Sequence, residues 1–224
     1  MHVPEAPMPH DEQDRLAALI GYGVLDTEPE RPFDDVARLA SMLCGTPIAL
    51  VSLVDASRQW FKARVGLEVS ETPREIAFCA HAILEDQVLV VEDASRDPRF
   101  ADNALVTGGP RIRFYAGAPL QTPGGYEIGT VCVIDRRSRR LSEEQLTALQ
   151  ALARVAIDEL ELRRIRTRRD RRFSSSFLPL CAVCKKVRDL NDDWCTIETY
   201  LAETNDVRIS HGLCNACARL DDTL

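Results

Sequence analysis

Residues 111 to 135, RIRFYAGAPLQTPGGYEIGTVCVID, constrain the fold more than any other stretch of this chain. Two runs rich in β-branched and aromatic residues flank Thr122-Pro123-Gly124-Gly125, a sequence suited to a tight turn, so a β-hairpin is expected. Side chains alternate across a strand. In the first strand Ile112, Phe114, Ala116, Ala118 and Leu120 share one side, with Arg111, Arg113, Tyr115, Gly117 and Pro119 on the other. In the second, Tyr126, Ile128, Thr130, Cys132 and Ile134 oppose Glu127, Gly129, Val131 and Val133. Neither side is fully polar, which places the hairpin inside a sheet covered on both faces. Small Ala116 and Ala118 suit close helix packing. Arg113 and Tyr115, on the opposite side, suit a small-molecule pocket.

The preceding residues supply the rest of a layered α+β domain. A helix is expected from Glu12, stopped by Gly21 and Gly23, and a second from Pro32 to Cys44 with Phe33, Val36, Leu39, Ala40 and Leu43 on one face. Ile48 to Val54 reads as a buried strand, Asp55 to Arg58 as a turn, and Gln59 to Arg64 as the return strand. Trp60 on that strand is a candidate pocket residue, with core filling as the competing reading. Pro73 to Glu85 reads as a helix carrying Phe78, Cys79 and His81, and Val88 to Val91 as a further strand.

The chain has 224 residues, 45% hydrophobic and 28% charged, room for one ordinary domain and a smaller module. No run approaches the ~18 apolar residues of a membrane span. The start, MHVPEAPMPHDEQD, lacks the basic and apolar regions of a signal peptide. A cytoplasmic protein is therefore expected, with no membrane partner. A net charge of −7 argues against general nucleic-acid affinity.

The hairpin motif RFYAGAPL…IGTVCVID, together with PREIAFCAHAI and DASRDPRFADNALV, resembles a bacterial GAF domain of the subgroup found in sensor kinases, diguanylate cyclases and small stand-alone regulators. The resemblance covers residues 12–162. It implies a central antiparallel sheet with helices on both faces, and a cap over the ligand face formed by the segments around residues 73–85 and 92–103 and the loop before Arg111. On that reading the ligand pocket draws on Trp60, Phe78, Cys79, His81, Asp93, Arg99, Arg113 and Tyr115. Asp97 and Asn103 are expected to pin the cap loops instead, through Asp–Arg pairing and a helix cap. The ligand stays open, because GAF domains bind cyclic nucleotides, bilins, haem or amino acids.

A long helix begins at Ser142 with a capping box completed by Gln145. Leu149, Leu152, Ala153, Ala156 and Leu160 are expected to cover the sheet, which leaves Val155, Ile157, Leu162 and Ile165 for a second partner. GAF-like domains commonly dimerise through terminal helices, so a parallel homodimer is expected. Residues 163–172 then hold seven arginines against one acid, Asp170, and Ser174 to Ser176 complete a linker over residues 163–176. The arginines surround the helix rather than forming a stripe, as at a solvated helix end.

Residues 177–224 contain Cys181-x-x-Cys184 and Cys214-x-x-Cys217, a spacing that lets four thiolates share one tetrahedral zinc. A small zinc-ribbon-like module with one structural Zn²⁺ is expected, and His211 is a possible substitute ligand. CAVCKKVRD, W…IETYL and SHGLCNAC resemble a short C-terminal module carried by GAF, PAS and receiver proteins of two-component signalling.

These features point to a non-enzymatic sensory protein whose GAF domain binds a small ligand or senses redox state. Its output would pass to a signalling partner such as a kinase or cyclase. Two alternatives stand beside it. One is a nucleic-acid-binding regulator using the zinc module and arginine run; the other is a thiol-dependent reductase using Cys79. A covalent bilin fits poorly, because Ala80 separates Cys79 from His81.

Overall fold

The hairpin lies in the middle of a six-stranded antiparallel sheet. The computed structural model describes residues 6–173, 180–189 and 193–205. The strands are β1 (Ile48–Val54), β2 (Arg58–Val65), β3 (Glu71–Pro73), β4 (Leu89–Val91), β5 (Phe114–Gln121) and β6 (Glu127–Asp135), in the order β3-β2-β1-β6-β5-β4. The hairpin's second strand pairs with β1 on its outer side, Leu50 opposite Cys132, while β5 brings Gly117 opposite the same cysteine.

One face carries the long helices α1 (Glu12–Gly21), α2 (Arg31–Cys44) and α5 (Glu143–Phe173). α2 ends where Gly45 turns into the left-handed region at φ 62°, which costs glycine little. The capping box forms as expected: Ser142 N–H donates to Gln145 Oε1 at 3.0 Å and Gln145 N–H to Ser142 Oγ at 3.3 Å. Phe33, Val36, Leu149, Ala156 and Leu160 from the helices close on Val51, Leu53, Trp60, Phe114, Ala116 and Val131 from the sheet. Ile157, expected to be left over, is buried in this layer, whereas Val155, Leu162 and Ile165 stay exposed.

The other face is covered by short elements. The helix expected over Pro73 to Glu85 is broken up: β3 pairs with the edge of β2, a single 3-10 turn follows at Arg74–Ile76, Ala77 is extended, and only α3 (Phe78–Ala82) is helical. Arg74 explains part of this, since its guanidinium is drawn to Glu12 and to the Asp55 carbonyl. α4 (Ala104–Thr107) is capped by Asn103, which accepts from Leu105 N–H at 2.8 Å and donates to the Ile76 carbonyl at 3.1 Å.

Strict alternation fails at two points of the hairpin. Arg111 takes φ 64° and β5 begins only at Phe114, so Ile112 turns onto the short-element face rather than joining Phe114. In β6 the register shifts opposite the stretch between Pro119 and Gln121. Ile128 therefore packs under the long helices, while Thr130, Cys132 and Ile134 face the cap. A bulge of this kind moves every later side chain to the other face.

The chain divides into two units, Met1–Arg168 and Arg169–Leu224. α5 continues unbroken through the arginine run to Phe173. In the second unit β7 (Val187–Arg188) pairs with β8 (Trp194–Cys195), and α6 (Ile197–Asn205) follows. Cys214, Cys217 and His211 lie outside the described residues. No helix among the described residues is long and apolar enough to cross a membrane.

Candidate functional site

The cap closes over the sheet but does not fill the space beneath it. A cavity of ≈ 60 Å³ remains, floored by Leu50, Phe61 and Ile134 and roofed by Leu67, Leu105 and Ile112. Phe78, Cys79 and Tyr115 form one wall. In that wall Phe78 stacks on Phe100 at 4.0 Å between ring centroids and tilts against Tyr115 at 5.3 Å.

Two of the lining side chains carry unpartnered polar atoms. Gln59, only 5% exposed, and Thr72 both line the cavity, and Gln59 Oε1 and Thr72 Oγ1 have no hydrogen-bond partner. Leaving such atoms unpaired costs about 1–3 kcal/mol each. A buried acceptor without a partner beside a cavity is thus a place for an N–H or O–H of a bound molecule.

Behind the wall lies a cluster of sulfur and hydroxyl groups. Cys79 Sγ on α3 is 3.7 Å from Cys132 Sγ on β6. Thr130 Oγ1 donates to Cys79 Sγ at 3.1 Å and Tyr115 Oη at 3.3 Å. Tyr115 can reach it because Gly117 is a glycine: a Cβ there would sit 2.1 Å from the tyrosine hydroxyl. Burial acts to raise the Cys79 thiol, but the donors Cys132, Thr130 and Tyr115 outweigh it and lower Cys79 to about 7. Ser52 favours the thiolate too, yet its hydroxyl lies outside hydrogen-bond geometry and is left unpartnered. Cys132 is raised, first by burial and then by its neighbour Cys79.

Of the eight pocket candidates named from the sequence, Phe78, Cys79 and Tyr115 meet at the cavity. Trp60 packs on the opposite face, under the long helices, because Gln59 and Phe61 are the β2 residues that point to the cap. His81 sits edge-on to Phe100 at 4.7 Å, and burial and then Arg99 lower its pKa. Asp93 accepts from the Ser95 amide and hydroxyl, Arg99 forms a two-pronged pair with Asp97, and Arg113 donates to the carbonyls of Val106 and Ile112. These four hold the cap together rather than lining the cavity. Gln59 and Thr72 were not singled out from the sequence, although a glutamine between buried strand residues was a usable signal.

In the second unit, the Cys181–Cys184 segment forms a tight turn. Cys181 N–H bonds the Lys186 carbonyl at 2.8 Å, Lys185 N–H returns to the Cys181 carbonyl at 3.0 Å, and Lys185 takes φ 58°. Among the described residues no cluster of three or more metal-binding side chains occurs. Nearer the sheet domain, Arg163 pairs with Glu30 at 2.8 Å and donates to the carbonyls of Tyr22 and Gly23, and Arg164 pairs with Glu161. The first two arginines of the basic run are therefore engaged within the protein.

Known proteins agree with this architecture. A cyclic di-GMP phosphodiesterase of Pseudomonas aeruginosa is 46% identical over 152 residues, which is 67% of this chain but 26% of that protein. The chain thus spans about a quarter of the length of that relative. The expectation of a protein without enzymatic activity is corrected by this match, because the relative is named as an enzyme. The GAF domain of an Acinetobacter phosphoenolpyruvate-protein phosphotransferase is similar in fold, with a TM-score of 0.50 at 16% identity over 69% of this chain and 95% of that one. Residues 28–159, more than half of the chain, match the GAF domain family, and with the six-stranded sheet and its capped face they show that this protein belongs to it.

Proposed function

We propose that the GAF domain is the sensory part of a signalling protein that acts in cyclic di-GMP turnover, and that it reads a small, largely apolar molecule held under the cap. The apolar cavity under the cap, with the unpartnered Gln59 Oε1 beside it, carries this reading. An apolar lining favours an apolar body, and the unpartnered Gln59 Oε1 and Thr72 Oγ1 ask for a hydrogen-bonding group on it. At ≈ 60 Å³ the space is smaller than the ~150 Å³ cavity that takes benzene, so the occupant has only a few non-hydrogen atoms or else displaces the cap. Cyclic di-GMP is far too large and charged to be that occupant; in this reading it belongs to the output.

Occupancy would be passed on through elements the cavity touches. Leu50 and Ile134 sit on β1 and β6, whose opposite faces pack under α2 and α5. The exposed Val155, Leu162 and Ile165 on α5 give a parallel homodimer an apolar seam. The four cysteines Cys181, Cys184, Cys214 and Cys217 would hold one structural Zn²⁺ in the second unit, with the tight turn at Cys181–Cys184 presenting two of the thiolates. A kinase, cyclase or phosphodiesterase activity is the class of output that such a module would govern.

Native mass spectrometry of the full chain tests these points together. The expected result is a dimer with one zinc per chain and an added small mass that is lost on denaturation. Leu50→Phe, which fills the cavity, should lose that mass and keep the dimer. A wild-type protein with no added mass, and no thermal shift with any of a panel of small alcohols, amides and aromatics, would overturn the sensory reading.

A further inference from the structure

Ligand sensing does not call for two thiols facing each other behind the cavity wall. Cys79 and Cys132 are 1% and 0% exposed, come from different layers, and lie 3.7 Å apart between sulfurs. Bond formation at about 2.05 Å asks for an approach of roughly 1.7 Å, within the reach of side-chain rotation and a slight shift of α3. The two sulfurs are not equivalent. Cys79 lines the cavity and receives the hydroxyls of Thr130 and Tyr115, whereas Cys132 stands behind it on β6. Cys44 provides the contrast: it is a single buried thiol in the layer under the long helices, its pKa raised by burial alone.

We propose that Cys79 and Cys132 form a reversible redox site, in which a small hydroperoxide entering the cavity oxidises Cys79 and Cys132 then closes a disulfide with it. The proposal uses the cavity as an access route and does not depend on its holding a sensory ligand. Hydrogen peroxide is small enough for a space of ≈ 60 Å³.

The chemistry balances in two steps. The Cys79 thiolate attacks one peroxide oxygen, the O–O bond breaks, and hydroxide leaves and takes the proton shed by Cys79, giving sulfenic acid and water. The Cys132 sulfur then attacks Cys79 Sγ, the S–O bond breaks, and the departing hydroxide takes the Cys132 proton as a second water. Two thiols lose two electrons and one peroxide gains them. The Cys79 thiol, lowered to about 7 by its donors, supplies the nucleophile near neutral pH. The product staples α3 to the centre of the sheet and withdraws the sulfur that the Tyr115 and Thr130 hydroxyls now bond. Oxidation would thus fix the cap over the cavity.

The test uses the reduced wild-type chain, treated with hydrogen peroxide, alkylated under denaturing conditions and mapped by peptide mass spectrometry. A Cys79–Cys132 linked peptide is expected, two hydrogens lighter than its parts and separated again by dithiothreitol, with Cys44 still alkylated. In Cys132→Ser, Cys79 should be trapped as a sulfenic acid by dimedone. In Cys79→Ser, Cys132 should stay reduced. Thr130→Val, which removes one donor, should slow linking by about five-fold at pH 7, the loss of thiolate when a thiol of pKa about 7 rises by one unit. Cys79 and Cys132 that remain alkylated to the extent of Cys44, or that react without becoming linked, would overturn the proposal. Peptide mapping does not register a non-covalent occupant, so failure here is distinct from failure of the sensory reading.

Discussion

The two faces of one sheet are built to different specifications. Under α1, α2 and α5 lies a continuous layer of Leu, Val, Ala and aromatic side chains from helices of ten residues or more. Under the cap the covering elements are three to five residues long, a cavity remains, and Gln59, Thr72 and Ser52 keep unpartnered polar atoms. Long helices bury whole stripes and tolerate no gap; short elements pinned by side-chain hydrogen bonds can leave a space and position polar groups around it. Close packing is concentrated on one face, and unpartnered polar atoms on the other. An ionic cluster at the sheet edge ties them: Glu12 on α1 holds Arg15 and Arg74, and these reach the carbonyls of Val54 and Asp55.

Breaking the shared sheet should cost most. In Gly129→Ala the new Cβ would meet the Ser52 carbonyl oxygen at 2.0 Å, backbone that cannot swing away, so a loss on the order of 4 kcal/mol in urea unfolding is expected. Next comes the contrast between faces. Leu149→Ala under the long helices should cost about 3–4 kcal/mol, and Leu50→Ala beside the cavity only about 2, because Leu50 already faces empty space on one side. Equal losses would erase the distinction. Gly117→Ala should cost about 2 kcal/mol, since buried Tyr115 has little room to retreat, and should raise the thiol of Cys79 as followed by alkylation rate against pH.

The smallest effect concerns the edge cluster. Burial alone would raise Glu12, but Arg15 and Arg74 overcome it and lower its carboxyl to about 2 from 4.5. A folded-state pKa below the unfolded one adds stability that is complete above pH 4.5 and vanishes as pH falls from 4.5 towards 2. Discounted for solvent screening, the contribution is on the order of 1 kcal/mol. Urea midpoints measured down that range should fall less steeply in Glu12→Gln than in wild type.

The layer under the long helices was legible because its signals are local and repeated. The Gly45 stop and the Ser142–Gln145 box each name an element by themselves, and Phe33, Val36 and Ala40 of the α2 stripe are buried as read, whereas Leu39 and Leu43 are exposed and Ala37 and Cys44 complete the buried face. The hairpin was legible too, with its faces misjudged where Arg111 turns and where β6 bulges near Gly129, because a one-residue irregularity reverses every later side chain. The site was harder to see. Phe78, Cys79 and Tyr115 stood out by chemical type, but Asp93, Arg99 and Arg113 are polar for the sake of the cap's own loops. Gln59 was passed over for its neighbour Trp60, although a glutamine within a buried strand was a signal, and its unpaired oxygen beside the cavity is what distinguishes it. The proximity of Cys79 and Cys132, 53 residues apart, depends on the whole sheet.

Methyl-selective NMR with a library of small apolar molecules, each bearing one hydrogen-bond donor, tests ligand sensing on the cap face most directly. Binding there predicts shifts at the methyls of Ile48, Leu50, Leu67, Ile112 and Ile134, little change at Leu149 and Leu152, and loss of the response in Gln59→Leu. Ligands that move the methyls under the long helices as much as those of the cap, or a library that moves neither, would contradict it.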